Sequence, residues 1–153
     1  MEKLRLAIGS DHGGFELKKY LLEELIKEGY EINDLGTYSL ESCNYPTYAF
    51  KVAEQVKNKE ADFGIVICTS GEGVCICANK VKGIRCGLAY NLEVAKLIRE
   101  HNNCNCIAFG AKYITKQEAL EAVKIFLNTP FGQGRHQTRV DLITSYEEEH
   151  FKN

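Results

Sequence analysis

A chain of 153 residues, 44% of them hydrophobic, is one domain of ordinary size that can bury a core without disulfides or structural metals. Its 19 basic and 21 acidic residues leave a formal charge of −2, which excludes the basic stripe of a nucleic-acid binder and the cationic amphipathic face of a membrane binder. The apolar stretch in MEKLRLAIGS is too short for a signal sequence and no run approaches a membrane span, so the expected location is the cytoplasm, where the odd count of seven cysteines stays reduced.

Leu4 to Ile8 is a short β-like run, and Gly13 and Gly14 then open a helix with Leu17, Leu21 and Leu25 at helical spacing. Tyr30 to Ile32 is the next strand. Thr47 to Val56 is the next helix, with Ala49, Val52, Ala53 and Val56 on one face. Phe63 to Cys68 forms a third strand, followed by a short helix over Val74 to Asn79. Ile84 to Ala89 and Cys106 to Phe109 are the fourth and fifth strands, with a helix over Leu92 to Arg99 between them. Thr115-x-x-Glu118 is a capping-box pattern, and the helix it starts carries Ala119, Ala122, Val123 and Phe126 and ends before Pro130.

The tail, residues 132–153, reads as a glycine-flanked basic patch, GQGRHQTRV, and then a helix with Val140, Leu142, Ile143, Tyr146 and Phe151. A terminal helix this apolar needs another surface. Pro46 and Pro130 mark loops, and no repeat or linker divides residues 1–153, which form a single domain. Strands alternating with helices imply an α/β fold: a three-layer, doubly wound, Rossmann-like sheet of five parallel strands with helices on both faces. In such sheets ligands collect at the carboxyl ends of the strands. The polar clusters fall there: Ser10-Asp11-His12 after the first strand, Cys68 to Gly73 after the third, Gly110 to Lys112 after the fifth.

Cys68 ends an apolar run and faces a glycine turn and a helix start, a setting that favours its thiolate as nucleophile or base, the alternative being one more small buried cysteine. Ser70, Gly71 and Gly73 supply preorganised donors for an enediolate or tetrahedral oxyanion. The loop lacks the lysine of a phosphate-binding P-loop. Asp11 and His12 suit sugar hydroxyls or a phosphate, although a bare Asp-x-Gly-Gly is equally a helix cap. His101 lies between a helix and a strand, where an imidazole is able to transfer protons near neutral pH or else is simply a solvated surface residue. Arg135 and Arg139, four apart, share a helical face and are able to grip a phosphate, or else form a solvated face.

Two other classes compete. A nucleotide-binding domain uses the same sheet, but GSDHGG departs from the G-x-G-x-x-G order. A zinc or thiol-redox protein would exploit Cys75/Cys77 and Cys104/Cys106, yet both are C-x-C pairs in apolar segments, unlike ordinary zinc-ligand spacing.

The segments GSDHGGFELK, DLGTYS, NYPTYA, the cysteine-glycine loop with ICANKVKGIR, HNNCNCIAFGAK and GRHQTRV together resemble, in order and spacing, the B-type ribose-5-phosphate isomerase family, which includes the galactose-6-phosphate isomerase subunits. The resemblance spans nearly the whole chain. It implies interconversion of ribose 5-phosphate and ribulose 5-phosphate through a cis-enediol without metal or cofactor, a six-carbon sugar phosphate (allose or galactose 6-phosphate) being the alternative substrate. It implies Cys68 as the base, His101 as the ring-opening acid and Ser70 in support, with the amides of Thr69, Ser70, Gly71, Glu72 and Gly73 at the enediolate. Asp11, His12 and Asn102 would contact the sugar phosphate, Lys112, Arg135 and Arg139 would hold its phosphate, and Tyr45 and His136 would line the pocket. The family's homodimers, with tetramers the alternative, build each site from both subunits and would cover the apolar tail helix.

Three positions depart from the family pattern. Thr69 stands where glycine is common, Lys112 where arginine is, and Asn44 where an aspartate often precedes the Tyr-Pro. The lysine replaces a two-pronged donor by a point charge, so phosphate affinity is expected to be lower. Relatives that lack the cysteine use a glutamate at the position of Val74, and Glu72 is not that residue.

Overall fold

The computed structural model describes residues 3–152. Five strands, β1 (Arg5–Ser10), β2 (Glu31–Asp34), β3 (Phe63–Cys68), β4 (Cys86–Leu88) and β5 (Cys106–Gly110), form one parallel sheet in the order β2-β1-β3-β5-β4. A 3₁₀ turn, His12–Gly14, leads into α1 (Phe15–Lys27), followed along the chain by α2 (Tyr45–Lys57), α3 (Glu72–Asn79), α4 (Leu92–Glu100), α5 (Lys116–Asn128) and α6 (Arg135–His150).

The central strands are apolar on both faces because both faces are covered. On one side Leu6, Ile8, Ile65, Ile67, Ile107 and Phe109 meet the inward faces of α1, α4 and α5. On the other, Ala7, Val66 and Ala108 meet α2 and α3 through small residues such as Ala49, Ala53 and Ala78. The expected three-layer α/β sheet is therefore present, and its strand polarity fixes where the loops go.

Several boundaries differ from the sequence expectation. β1 runs on to Ser10, which carries Asp11 to the rim of the sheet. Pro46 lies in the first turn of α2 rather than in a loop, where its missing N–H has no helical partner to lose. α3 begins at Glu72, two residues early, because Gly71 adopts φ 81 as its N-cap. β4 is only three residues, an edge strand paired on one side to β5. The capping box of α5 is complete: Thr115 Oγ1 accepts from the Glu118 amide at 3.1 Å while Glu118 Oε1 accepts from the Thr115 amide at 3.2 Å.

The tail is one helix rather than a patch followed by a helix, and Phe151 lies just beyond it. α6 begins near Glu100, whose carbonyl accepts from the Gly132 amide at 2.8 Å, and its far end is pinned where Glu147 Oε2 accepts from the Gly83 amide at 3.2 Å. Both anchors lie at the amino ends of strands, so α6 runs along that rim. Val140 is buried, whereas Leu142 and Tyr146 are 66% and 61% exposed. A cavity of about 620 Å³ opens between this helix and the sheet edge, lined by Ile84, Cys86, Ile98, Leu142, Ile143 and Tyr146.

Candidate active site

The first cluster stands at the carboxyl ends of β1, β3 and β5. Asp11 is buried and its Oδ1 accepts from the Gly14 amide at 3.2 Å, so it caps the 3₁₀ turn while facing this rim. His12 Nδ1 accepts from the Cys43 amide at 3.1 Å, which leaves the neutral ring's proton on Nε2. Gly13 packs directly on Thr69: a Cβ there would collide with Thr69 Oγ1, so a side chain at position 69 is accommodated by the lack of one at position 13.

Cys68 closes β3 with 5% of its surface exposed, and its Sγ accepts from the Gly71 amide at 3.2 Å. The loop is clamped to β5, with the Ala111 amide donating to the Cys68 carbonyl at 2.9 Å and the Lys112 amide to the Thr69 carbonyl at 3.1 Å. Gly71 has no room for a side chain, since a Cβ would sit 2.8 Å from Gly110 N and 2.5 Å from Leu88 Cδ1. Ser70 is exposed and its Oγ accepts from the Glu72 amide at 3.2 Å. The Tyr45 ring covers Gly73, where a Cβ would lie 2.5 Å from Cε1. Lys112 is exposed beside the loop. A cavity of about 450 Å³ flanks it on the β4 side, bounded by Ser70, Glu72, Gly110, Tyr90 and Tyr113.

The second cluster holds His101, Asn102, Arg135, His136 and Arg139. His101 ends α4, and its ring stacks on that of His136 with centroids 4.2 Å apart and planes 14° from parallel. Glu100 Oε1 lies 3.5 Å from His101 Nε2. Loss of hydration, then His101, Arg135 and Arg139, together hold the His136 imidazole below its ordinary pKa. Arg135 and Arg139 lie on successive turns of α6 and are exposed, as is Asn102.

These two clusters do not meet within one chain. Cys68 is in register with Gly110, the last residue of β5, whereas His101 and Asn102 precede Cys106, its first. The length of β5, about 13 Å at 3.3 Å per residue, separates the two ends. The loops after β1, β3 and β5 converge as expected, but the tail arginines and His101 face the opposite rim.

Five positioning residues lie outside the sequence expectation. Lys18 is 1% exposed, its Nζ 2.7 Å from Asp34 Oδ1 and 5.5 Å from the Phe15 and Tyr38 ring centroids. Asp34 also accepts from the Gly36 amide, and residues 36 and 37 exchange backbone hydrogen bonds with Ser10, so the pair braces the wall next to Asp11. The signal was spacing: Lys18 shares the inward stripe of Leu21 and Leu25. Arg85 donates to the Asn102 and Asn103 carbonyls, and Arg99 to Asn103 Oδ1 and the Cys104 carbonyl, each at 2.8–3.2 Å, fixing the loop after His101. Cys43 orients His12, as above.

Burial pushes the Cys104 and Cys106 thiols up to about 12, the state of inert core cysteines. Among the described residues, no group of three or more His, Cys, Asp or Glu side chains is arranged to hold a metal ion, and no helix is long and apolar enough to cross a membrane.

Comparison with known proteins agrees with this architecture. Residues 6–143 match the family model described as Ribose/Galactose Isomerase. Ribose-5-phosphate isomerase B of Escherichia coli is 41% identical over 144 residues, covering 94% of this chain and 97% of that protein. The structure of Clostridium thermocellum ribose-5-phosphate isomerase B superposes with a TM-score of 0.94 at 45% identity, covering 96% of this chain and 99% of that one. That of the Mycoplasma genitalium enzyme with bound ribulose-5-phosphate gives 0.91 at 41% identity, covering 95% and 97%. Spanning almost the full length of these relatives, with the same sheet and loops, this chain belongs to the ribose/galactose isomerase family.

Proposed function

We propose that this protein interconverts ribose 5-phosphate and ribulose 5-phosphate, acting as a homodimer in which each site joins the cysteine loop of one copy to the His101 and α6 cluster of the other. The observation that carries the reading is the setting of Cys68: a sulfur at the rim of β3, beneath the Gly71 amide, in a chain 41% identical to a structure holding ribulose-5-phosphate. The two-ended distribution of the remaining residues supports the shared site. A twofold arrangement that sets the amino-end rim of one copy over the carboxyl-end rim of the other brings both clusters onto one substrate, twice.

In this reading His101 of the second copy protonates the ring oxygen and opens the furanose. The Cys68 thiolate removes the C2 proton of the aldose and charge moves onto the oxygen at C1. A proton passes from the C2 hydroxyl to that oxygen, and the Cys68 thiol returns its proton to C1 as the C2 carbonyl forms, giving the ketose. The Gly71 amide is committed to the sulfur and that of Glu72 to Ser70 Oγ, so Gly71 stabilises the thiolate. The remaining amides of the loop meet the oxyanion, a contribution of about 3 kcal/mol per donor. Asp11, the Nε2–H of His12, and Asn102 from the second copy hold hydroxyls, with Tyr45 closing the pocket over Gly73. Lys112 and the second copy's Arg135 and Arg139 surround the phosphate with three cations, which offsets the weaker grip of the lysine.

The test is ketose formation from a panel of five- and six-carbon aldose phosphates. Fastest turnover of ribose 5-phosphate supports the proposal. Faster turnover of allose or galactose 6-phosphate would move the substrate to six carbons, and no turnover of any member would overturn the isomerase reading.

A further inference from the structure

The His101–His136 stack joins two elements that are far apart in sequence, the end of α4 and the first turn of α6. The rings lie 4.2 Å apart and 14° from parallel, so each presents one face to the other. The connection behind them is tight: the Gly132 amide donates to the Glu100 carbonyl at 2.8 Å, and a Cβ at Gly132 would lie 3.5 Å from His136 Cδ2. The charges nearby sort to opposite sides. Glu100, itself 4.0 Å from Lys96, approaches His101 Nε2 at 3.5 Å, while Arg135 and Arg139 share the helix of His136. Two imidazolium ions in this stack would repel, and lost hydration, then His101 and those arginines, hold the His136 imidazole below its ordinary pKa. A neutral aromatic face is also the favourable neighbour for a protonated ring.

We propose that His136 is a positioning residue: its ring backs His101, fixing the plane from which His101 delivers its proton to the sugar, rather than binding the substrate itself. This rests on the ring-opening role given to His101 above. It separates His136 from the arginines on the same helix, which act on the phosphate directly, and it departs from the expectation that His136 lines the pocket.

Steady-state kinetics on ribose 5-phosphate with His136→Ala, His136→Phe, His101→Ala and the double His101→Ala/His136→Ala variant test it. His136→Ala is expected to lower kcat roughly five- to tenfold with KM within about twofold, the scale of one aromatic contact. His136→Phe, which keeps a flat ring without ring nitrogens, recovers most of that loss. The double variant is no slower than His101→Ala alone, since His136 has then nothing to position. A raised KM at unchanged kcat, a Phe variant as slow as Ala, or additive losses in the double variant would each overturn the proposal. Wild-type turnover by His101→Ala would overturn it together with the acid role of His101, whereas a slow His101→Ala beside a wild-type His136→Ala overturns this proposal alone.

Discussion

Gly71→Ala tests how the cysteine loop is held. The residue is at φ 81, a region that costs an ordinary side chain about 1–2 kcal/mol. The new Cβ would also stand 2.8 Å from Gly110 N and Phe109 C, backbone atoms of a central strand with no freedom to give way, which adds about 1–3 kcal/mol of overpacking. The sum is about 2–5 kcal/mol, or a fall in Tm of about 5 °C or more for a chain of this size. Gly29→Ala is the control: φ is 92 but nothing lies within 4 Å of the added Cβ, so only the backbone cost of about 1–2 kcal/mol applies. Relief of the clash displaces the amide that donates to Cys68 Sγ, a hydrogen bond to a charged group worth about 1.5–3 kcal/mol, so kcat falls about 10- to 100-fold. Calorimetric melting and ketose formation are measured on both variants. Equal melting of Gly71→Ala and Gly29→Ala, with wild-type turnover in both, would refute the reasoning.

Arg135→Ala is expected to raise KM for phosphorylated sugars about tenfold or more with a smaller effect on kcat, since it removes a charge-assisted contact to a non-reacting group; an unchanged KM would place the phosphate elsewhere. Lys18→Met should cost about 3 kcal/mol in urea unfolding, toward the low end for breaking a buried pair because Asp34 is 30% exposed and keeps the Gly36 amide; a loss under about 1 kcal/mol would remove Lys18 from the bracing of the β1 rim. Alkaline pH should destabilise the fold through its core thiols. Cys104 and Cys106 are raised from 9.0 to about 12, so between these values the unfolded chain has lost protons that the folded one retains, and stability falls as pH rises. The slope is about 1.4 kcal/mol per pH unit for each thiol. Cys106→Ala should therefore show a shallower decline between about pH 9 and 11, and an identical slope would contradict the burial argument.

Legibility in the sequence followed burial. β3 and β5 are apolar on both faces because helices cover both, and α1 and α5 bury a single stripe, so each was readable from its own residues. The apolar run Ile84 to Ala89 is twice the length of β4 because Ile84 is buried outside the sheet and Ala89 beyond it. α6 does not show as one helix in the sequence because its first two turns, RHQTRV, are nearly all polar, and only Gly134 before them marks the start. The cysteine loop was legible from its glycines, whose functional need and backbone need coincide. The separation of His101 from Cys68 had a signal in topology alone: in a parallel sheet, a residue between a helix and the next strand lies at the amino ends, opposite a residue that closes a strand. Lys18, Arg85 and Arg99 were hidden because their residue types predict solvent, and only partners distant in sequence explain their burial.

The division of the site between two copies is tested most directly by mixing Cys68→Ala with His101→Ala protein after unfolding and refolding them together. Each parent should turn over ribose 5-phosphate orders of magnitude more slowly than wild type. In a mixed dimer one site inherits both substitutions and the other inherits neither, so random pairing restores about a quarter of wild-type activity. A mixture as inactive as its parents, with mixed dimers demonstrated by mass, would contradict the shared site.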